Sequence, residues 1–189
     1  EPSQKHPNVL TIVFDRVKSG WEQWVLLRGD AHQDNIHCLQ NVETRHLDLA
    51  VERSAPIFDV GALFCAMQGR GDPRADYDSL RPEHKTANYI GALIETAAHR
   101  YKKYAPYWAL LGKGNHGSAV LKNKNYDLTS GLATLMNKEK GAFVTVGGYG
   151  GWVRFMFRVH TTRRKSLNMK YHHGAGGGGP VTRGVIDTN

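Results

Sequence analysis

The chain has 189 residues, 40% of them hydrophobic and 22% charged, with 10 histidines, 2 cysteines and a formal net charge of +8. That length and composition predict one globular domain with a core of its own and exclude wholesale disorder. No run approaches the roughly 18 apolar residues of a membrane span; the start lacks a signal-peptide core, and two cysteines make no disulfide framework, so a reduced, cytoplasmic setting without membrane is expected.

Residues 1–20 are polar and uneven and read as an N-terminal arm or edge segment, leaving 21–189 as the domain. Residues 23–27 are a short apolar run that stops at Arg28-Gly29-Asp30, as a buried strand entering a loop does. Asp34 or Asn35 can cap a helix over 37–53, where Leu39, Val42, His46, Leu49 and Ala50 recur at helical spacing. A second strand is predicted over 56–60, and a Gly/Pro/Asp-rich loop over 68–81. Residues 83–101 carry Ile90, Leu93, Ile94 and Ala97 on one helical face. A third strand follows over 107–111, and Asp127 caps a helix bearing Leu128, Leu132 and Leu135. Residues 143–146 and 153–159 flank a glycine-rich stretch and predict a β-hairpin. A last strand over 167–171 runs into His172-His173 and a glycine-rich run at 174–179, read as a tight loop. Strands alternating with helices predict an α/β fold with a largely parallel sheet, whose ligands bind at the carboxyl ends of its strands.

Charge is unevenly spread. Residues 1–60 hold 6 Lys/Arg against 9 Asp/Glu, while 61–189 hold 19 against 8. The basic excess near Arg154, Arg158, Arg163, Arg164, Lys165, Lys170 and Arg183 favours a polyanionic partner such as nucleic acid, and equally reads as a solvated surface.

Three polar clusters sit at predicted strand ends: Asp30-Ala31-His32, Gly114-Asn115-His116 and Tyr171-His172-His173. An Asp and a His two apart in an extended loop can offer one oxygen and one nitrogen to a single ion. An Asn oxygen can ligate, and a His beside it can protonate a leaving oxygen. Mixed oxygen and nitrogen donors suit Mn, Fe or Zn rather than Ca or Mg. Each cluster alone is weak evidence; three on one sheet edge are stronger.

In order, these clusters resemble the D-x-H, G-N-H and lone-His motifs of calcineurin-like metallophosphoesterases, and the stretches at 63–69 and 172–184 look similar to phage and bacterial members. The resemblance implies an α/β/β/α sandwich, the calcineurin-like phosphoesterase β-sandwich flanked by helices. It implies hydrolysis of a phosphoester, with a phosphodiester, nucleotide, DNA or RNA as substrate, by a hydroxide held between two divalent metal ions, manganese favoured over iron or zinc. By the same resemblance Asp30 and His32 hold one ion, Asn115 and His172 (or His173) the other, and His116 serves the leaving group. The sequence departs from the pattern at Ala62, where the bridging Asp is expected, and at Gly117, where an acidic residue is usual. It also lacks the terminal G-H-x-H, which predicts a domain incomplete at its C-terminus. Asp59, three residues before Ala62, is expected on the opposite face of its strand. The alternative expectation is a phosphoesterase-like module without activity that binds nucleic acid or a protein partner.

Overall fold

The computed structural model describes residues 2–6, 8–66, 76–159 and 163–174. Most of the predicted loop over 68–81, the glycine run beyond Gly174 and the family-like terminal stretch lie outside them. The described residues form a mixed α/β protein with two four-stranded sheets and four α-helices.

One sheet is wholly parallel. It contains β3 (Leu26–Arg28), β4 (Ile57–Asp59), β5 (Trp108–Leu111) and β6 (Thr145–Val146), side by side in that order. Its two central strands are buried on both faces, which is why Ile57-Phe58 and Trp108-Ala109-Leu110-Leu111 read as unbroken apolar runs. One face packs on α1 (Gln40–Glu52), α2 (Tyr89–Tyr101), α3 (Asn115–Lys124) and α4 (Leu128–Met136) through Leu47, Leu93, Ala97, Leu132, Ile57 and Trp108. The other meets the second sheet, ordered β1 (Pro2–His6), β2 (Val9–Asp15), β7 (Gly150–Arg158) and β8 (Arg164–His172). Phe58, Ala109 and Leu110 from the parallel sheet pack there against Leu10, Ile12, Val153, Phe155 and Tyr171. The layers are therefore helices, parallel sheet and mixed sheet.

Several expectations change. Residues 1–20, read as an arm or edge segment, supply β1 at the sheet edge and β2 inside it, paired to β7 in parallel. The alternation of Leu10, Ile12 and Phe14 carries β2 inward. The predicted hairpin does not form, because β6 and β7 belong to different sheets. The glycines between them hand the chain across: a Cβ at Gly147 would collide with the Tyr171 hydroxyl and sit 2.9 Å from Leu110. The helix predicted over 83–101 breaks into a 3₁₀ turn, Pro82–His84, and α2. His84 is buried and its Nε2 lies 2.7 Å from Thr96 Oγ1. In one continuous helix those residues would stand about 18 Å apart along the axis. The buried face of α1 runs through Leu47 and Ala50, whereas Leu39 and Leu49 are exposed. Asp127 caps α4 as expected, accepting from the Ser130 amide at 3.1 Å. No helix among the described residues is long and apolar enough to cross a membrane.

Phe58 sits wholly buried between the sheets, its ring edge-on to Phe155 at 5.7 Å. Phe58→Ala is expected to lower unfolding free energy by roughly 3–5 kcal/mol, read from urea denaturation, because the cavity lies between two rigid layers. A loss below about 1 kcal/mol would contradict this face-to-face packing.

Candidate functional site

All four parallel strands end on one edge, so the loops that follow them gather there. The loops after β3 and β4 run on together past the strands. The amides of Asp30, His32 and Gln33 donate to the carbonyls of Gly61, Ala62 and Leu63 at 2.9, 3.1 and 2.9 Å. Asp34, read as a helix cap, instead clamps the second loop: its buried carboxylate accepts from the amides of Cys65 and Ala66 at 2.6 and 2.8 Å.

These two loops hold unusual backbone. Asp30 (φ 51°), His32 (45°), Ala62 (53°) and Ala66 (49°) are left-handed, four of the seven such non-glycine residues described. Each costs of order 1 kcal/mol, and such strain clusters where a fold positions ligands or reacting groups.

Three of the sequence-predicted clusters meet here. The Asp30 carboxylate is largely exposed, and its Oδ1 lies 3.8 Å from His32 Nε2 and 3.8 Å from His173 Nε2. His173 Nε2 also donates to Asn115 Oδ1 at 3.2 Å. His116 Nδ1 donates to the Cys65 carbonyl at 2.7 Å, and its ring stands edge-on to His32 at 4.8 Å. Of the two adjacent histidines, His173 is the one turned into this cluster. Strand alternation sends Tyr171 into the inter-sheet core and His172 outward, where its Nδ1 accepts from the Gly174 amide at 3.0 Å. His173 follows the strand end, tied by its amide to the Tyr149 carbonyl at 2.9 Å.

Gly61 makes the approach of His173 possible. Its φ is 125°, and a Cβ there would stand 2.7 Å from His173 Nδ1 and 2.8 Å from the Lys113 carbonyl. Ala62 beside it is buried and brings no donor. Asp59 cannot stand in. It is fully buried and faces Arg28, whose Nε is 2.9 Å from Asp59 Oδ2, while Asp59 Oδ1 accepts from the Gly61 amide at 3.0 Å. At Gly117, a Cβ would meet only Thr129 Oγ1, at 3.9 Å, so an acidic side chain would have room there.

Cys65 was not among the residues picked out by sequence motif. It follows β4 by six residues and is held beside the cluster by the clamp on Asp34 and by the His116 bond to its carbonyl. α3 also went unpredicted, although its first two residues are Asn115 and His116. No family model, curated protein or solved structure matches this chain.

Burial pushes the Asp59 carboxyl up to about 6, against the pull of Arg28 and the Gly61 amide. A carboxyl whose folded value is raised binds its proton more tightly in the native state, so its contribution to stability is lost as pH climbs from about 4 to 6. Across that window Asp59→Asn is expected to flatten the fall in stability relative to the native chain, by up to about 3 kcal/mol. Thermal unfolding at half-unit pH steps checks this; parallel profiles for the two proteins would contradict it.

Proposed function

We propose that this chain is a metal-dependent phosphoester hydrolase of the calcineurin-like kind, with phosphodiesters as its substrate class. The observation that carries the reading is the convergence of Asp30, His32, Asn115 and His173 from three separate strand ends onto one strained edge. The two-sheet core with helices on one face is consistent with that family's sandwich; its outer helical layer belongs to the proposal, not to the described residues.

Asp30, His32, Asn115 and His173 offer the donor types that one dication takes. Asp30 Oδ1 has a histidine nitrogen on each side at 3.8 Å, and Asn115 Oδ1 is adjacent to one of them. Asp30, His32, Asn115 and His173 would hold a Mn²⁺-like ion through two imidazole nitrogens and one or two oxygens. The residues present do not fit a tightly bridged pair, because Ala62 supplies no carboxylate between two ions.

When bound, such an ion supplies polarisation of a phosphoryl oxygen and acidification of a water. The protein's own residues do the rest. Asp30 contributes negative charge that offsets the cation, and Asn115 adds a neutral oxygen without increasing that charge. His116, fixed by the Cys65 carbonyl at Nδ1, can carry a second proton only at Nε2, the atom from which it would reach a leaving oxygen. Lys113, in the loop before Asn115, is held at 2.6 Å by Asp127 and so is kept to the helix side of the site.

Hydrolysis of a chromogenic phosphodiester tests the reading. Turnover is expected to require Mn²⁺, to fall about 100-fold in kcat for His116→Gln, and to rise for Ala62→Asp. Position 62 already has φ 53°, a region Asp enters more readily than Ala, so that substitution does not add backbone strain. Absence of Mn²⁺-dependent turnover in both the native and the Ala62→Asp proteins would overturn the proposal.

One feature favours the second reading, a nucleic-acid-binding module. A groove of about 850 Å³ at the end of the mixed sheet is lined by Arg16, Lys18, Arg158 and Arg164, with Asp15 paired to Arg158 at 3.2 Å. On the outer face, Lys170 stands over the Trp152 ring at 5.9 Å beside Arg154. Bases stacking on Trp152 with phosphates on these cations would bind steeply more weakly as salt rises. Salt-independent binding of a labelled single strand would remove this reading.

A further inference from the structure

Beside the oxygen-rich edge lies a second donor group of different chemistry. One ring nitrogen each of His32 and His116 and the sulfur of Cys65 all lie within 4.8 Å of one another. All three residues are half-buried. Among the described residues, no other three such ligand atoms lie that close together.

We infer that His32, Cys65 and His116 form a binding site for a thiophilic dication such as Zn²⁺. Two nitrogens and one thiolate are a donor set that Zn²⁺ takes in tetrahedral geometry, with a fourth position left for water. Ligand atoms around such an ion stand about 3.4–3.8 Å apart, given bonds of about 2.0–2.3 Å, so the three atoms would draw together by about 1 Å on binding.

Two independent details of the trio point to a metal rather than to packing. The first is His116, whose Nδ1 hydrogen is committed to the Cys65 backbone carbonyl at 2.7 Å. That bond fixes the tautomer and leaves the lone pair on Nε2, the arrangement metal-ligating histidines use when a carbonyl holds the other nitrogen. The second is His32 Nδ1, which is buried with no hydrogen-bond partner, a costly state for a ring nitrogen. A cation bound through Nδ1 would supply the missing partner. Backbone strain concentrates in the same residues, with His32 and Ala66, the residue after Cys65, both left-handed.

Binding is a simple exchange. The Cys65 thiol gives its proton to solvent and the thiolate and two neutral imidazoles donate to the ion, so affinity rises with pH. His32 and His116 belong also to the proposed hydrolytic site, so a zinc ion on the trio takes both from it. That consequence rests on the hydrolase reading; the binding itself does not.

Cobalt titration of the whole chain tests the site, because Co²⁺ reports its ligands optically and needs no turnover. A thiolate-to-cobalt charge-transfer band is expected in the near ultraviolet, together with visible bands of tetrahedral intensity, both bleached by one equivalent of Zn²⁺. Cys65→Ser should abolish the charge-transfer band, and His32→Asn should weaken Co²⁺ binding at least 10-fold. Cys38→Ser, which alters the other thiol, should leave the spectrum intact and shows that a lost band is not general damage. A spectrum without a sulfur band, or one unchanged in Cys65→Ser, overturns the assignment. A sulfur band in a chain that hydrolyses nothing keeps the site and removes only the hydrolase.

Discussion

The structure turns on a buried ionic cluster at the heart of the parallel sheet. Arg28, the last residue of β3, bonds Glu43 of α1 at 2.6 Å and pairs with Asp59, the last residue of β4, at 2.9 Å. Arg100 of α2 reaches the other Glu43 oxygen at 2.6 Å, and the Tyr101 hydroxyl donates to Glu43 at 2.7 Å. Asp59 is fully buried, and Arg28, Glu43 and Arg100 are partly withdrawn from water around it. Burial works against every charge here, and the mutual attraction keeps Glu43 below the ordinary carboxylate range while Asp59 stays raised. Losing one partner of such a set leaves an uncompensated buried charge, at a cost of roughly 3–5 kcal/mol, so the cluster acts more as a registration device than as a source of stability.

Its position explains much of the site. Arg28 and Asp59 are register partners at the ends of adjacent parallel strands. Fixing them fixes where each strand stops and where each loop begins. Asp30 comes two residues after Arg28, and Gly61 two after Asp59. The ladder that carries Asp30, His32 and Gln33 along Gly61, Ala62 and Leu63 therefore starts from a pair that cannot slip. The same cluster sets the rotation of α1. Glu43 must face inward to reach Arg28, so Leu47 and Ala50 follow it into the core and Leu39 and Leu49 turn to solvent.

That rotation shows what could be read from the chain and what could not. The alternation of short apolar runs with helical patterns was enough to expect the parallel sheet, and the polar clusters at strand ends were enough to mark its carboxyl edge. Hydrophobic spacing could not set the phase of α1, because the residue deciding it is an inward-facing Glu, which a hydrophobic pattern treats as exposed. Nor could spacing separate β6 from β7, since a glycine-rich link between two apolar runs suits a hairpin and a sheet crossing alike; the choice is made by Tyr171, far away in sequence. Adjacent histidines at a strand end were an ambiguity that only strand length resolves. β8 runs through His172, and the next residue is the one turned into the cluster. Cys65 was illegible for a different reason, because it reaches the site through a carboxylate 31 residues earlier.

The two donor groups differ in what they ask of an ion. Asp30, Asn115 and His173 present mainly oxygen and suit a hard cation exposed to solvent and substrate; Cys65 with His116 presents sulfur and nitrogen in a half-buried recess. His32 lies between them, with Nε2 toward Asp30 and Nδ1 without a partner. A neutral imidazole has one lone pair to give, so under the two proposals the groups compete for His32. Ala62, three residues past the end of β4, offers a carboxylate to neither.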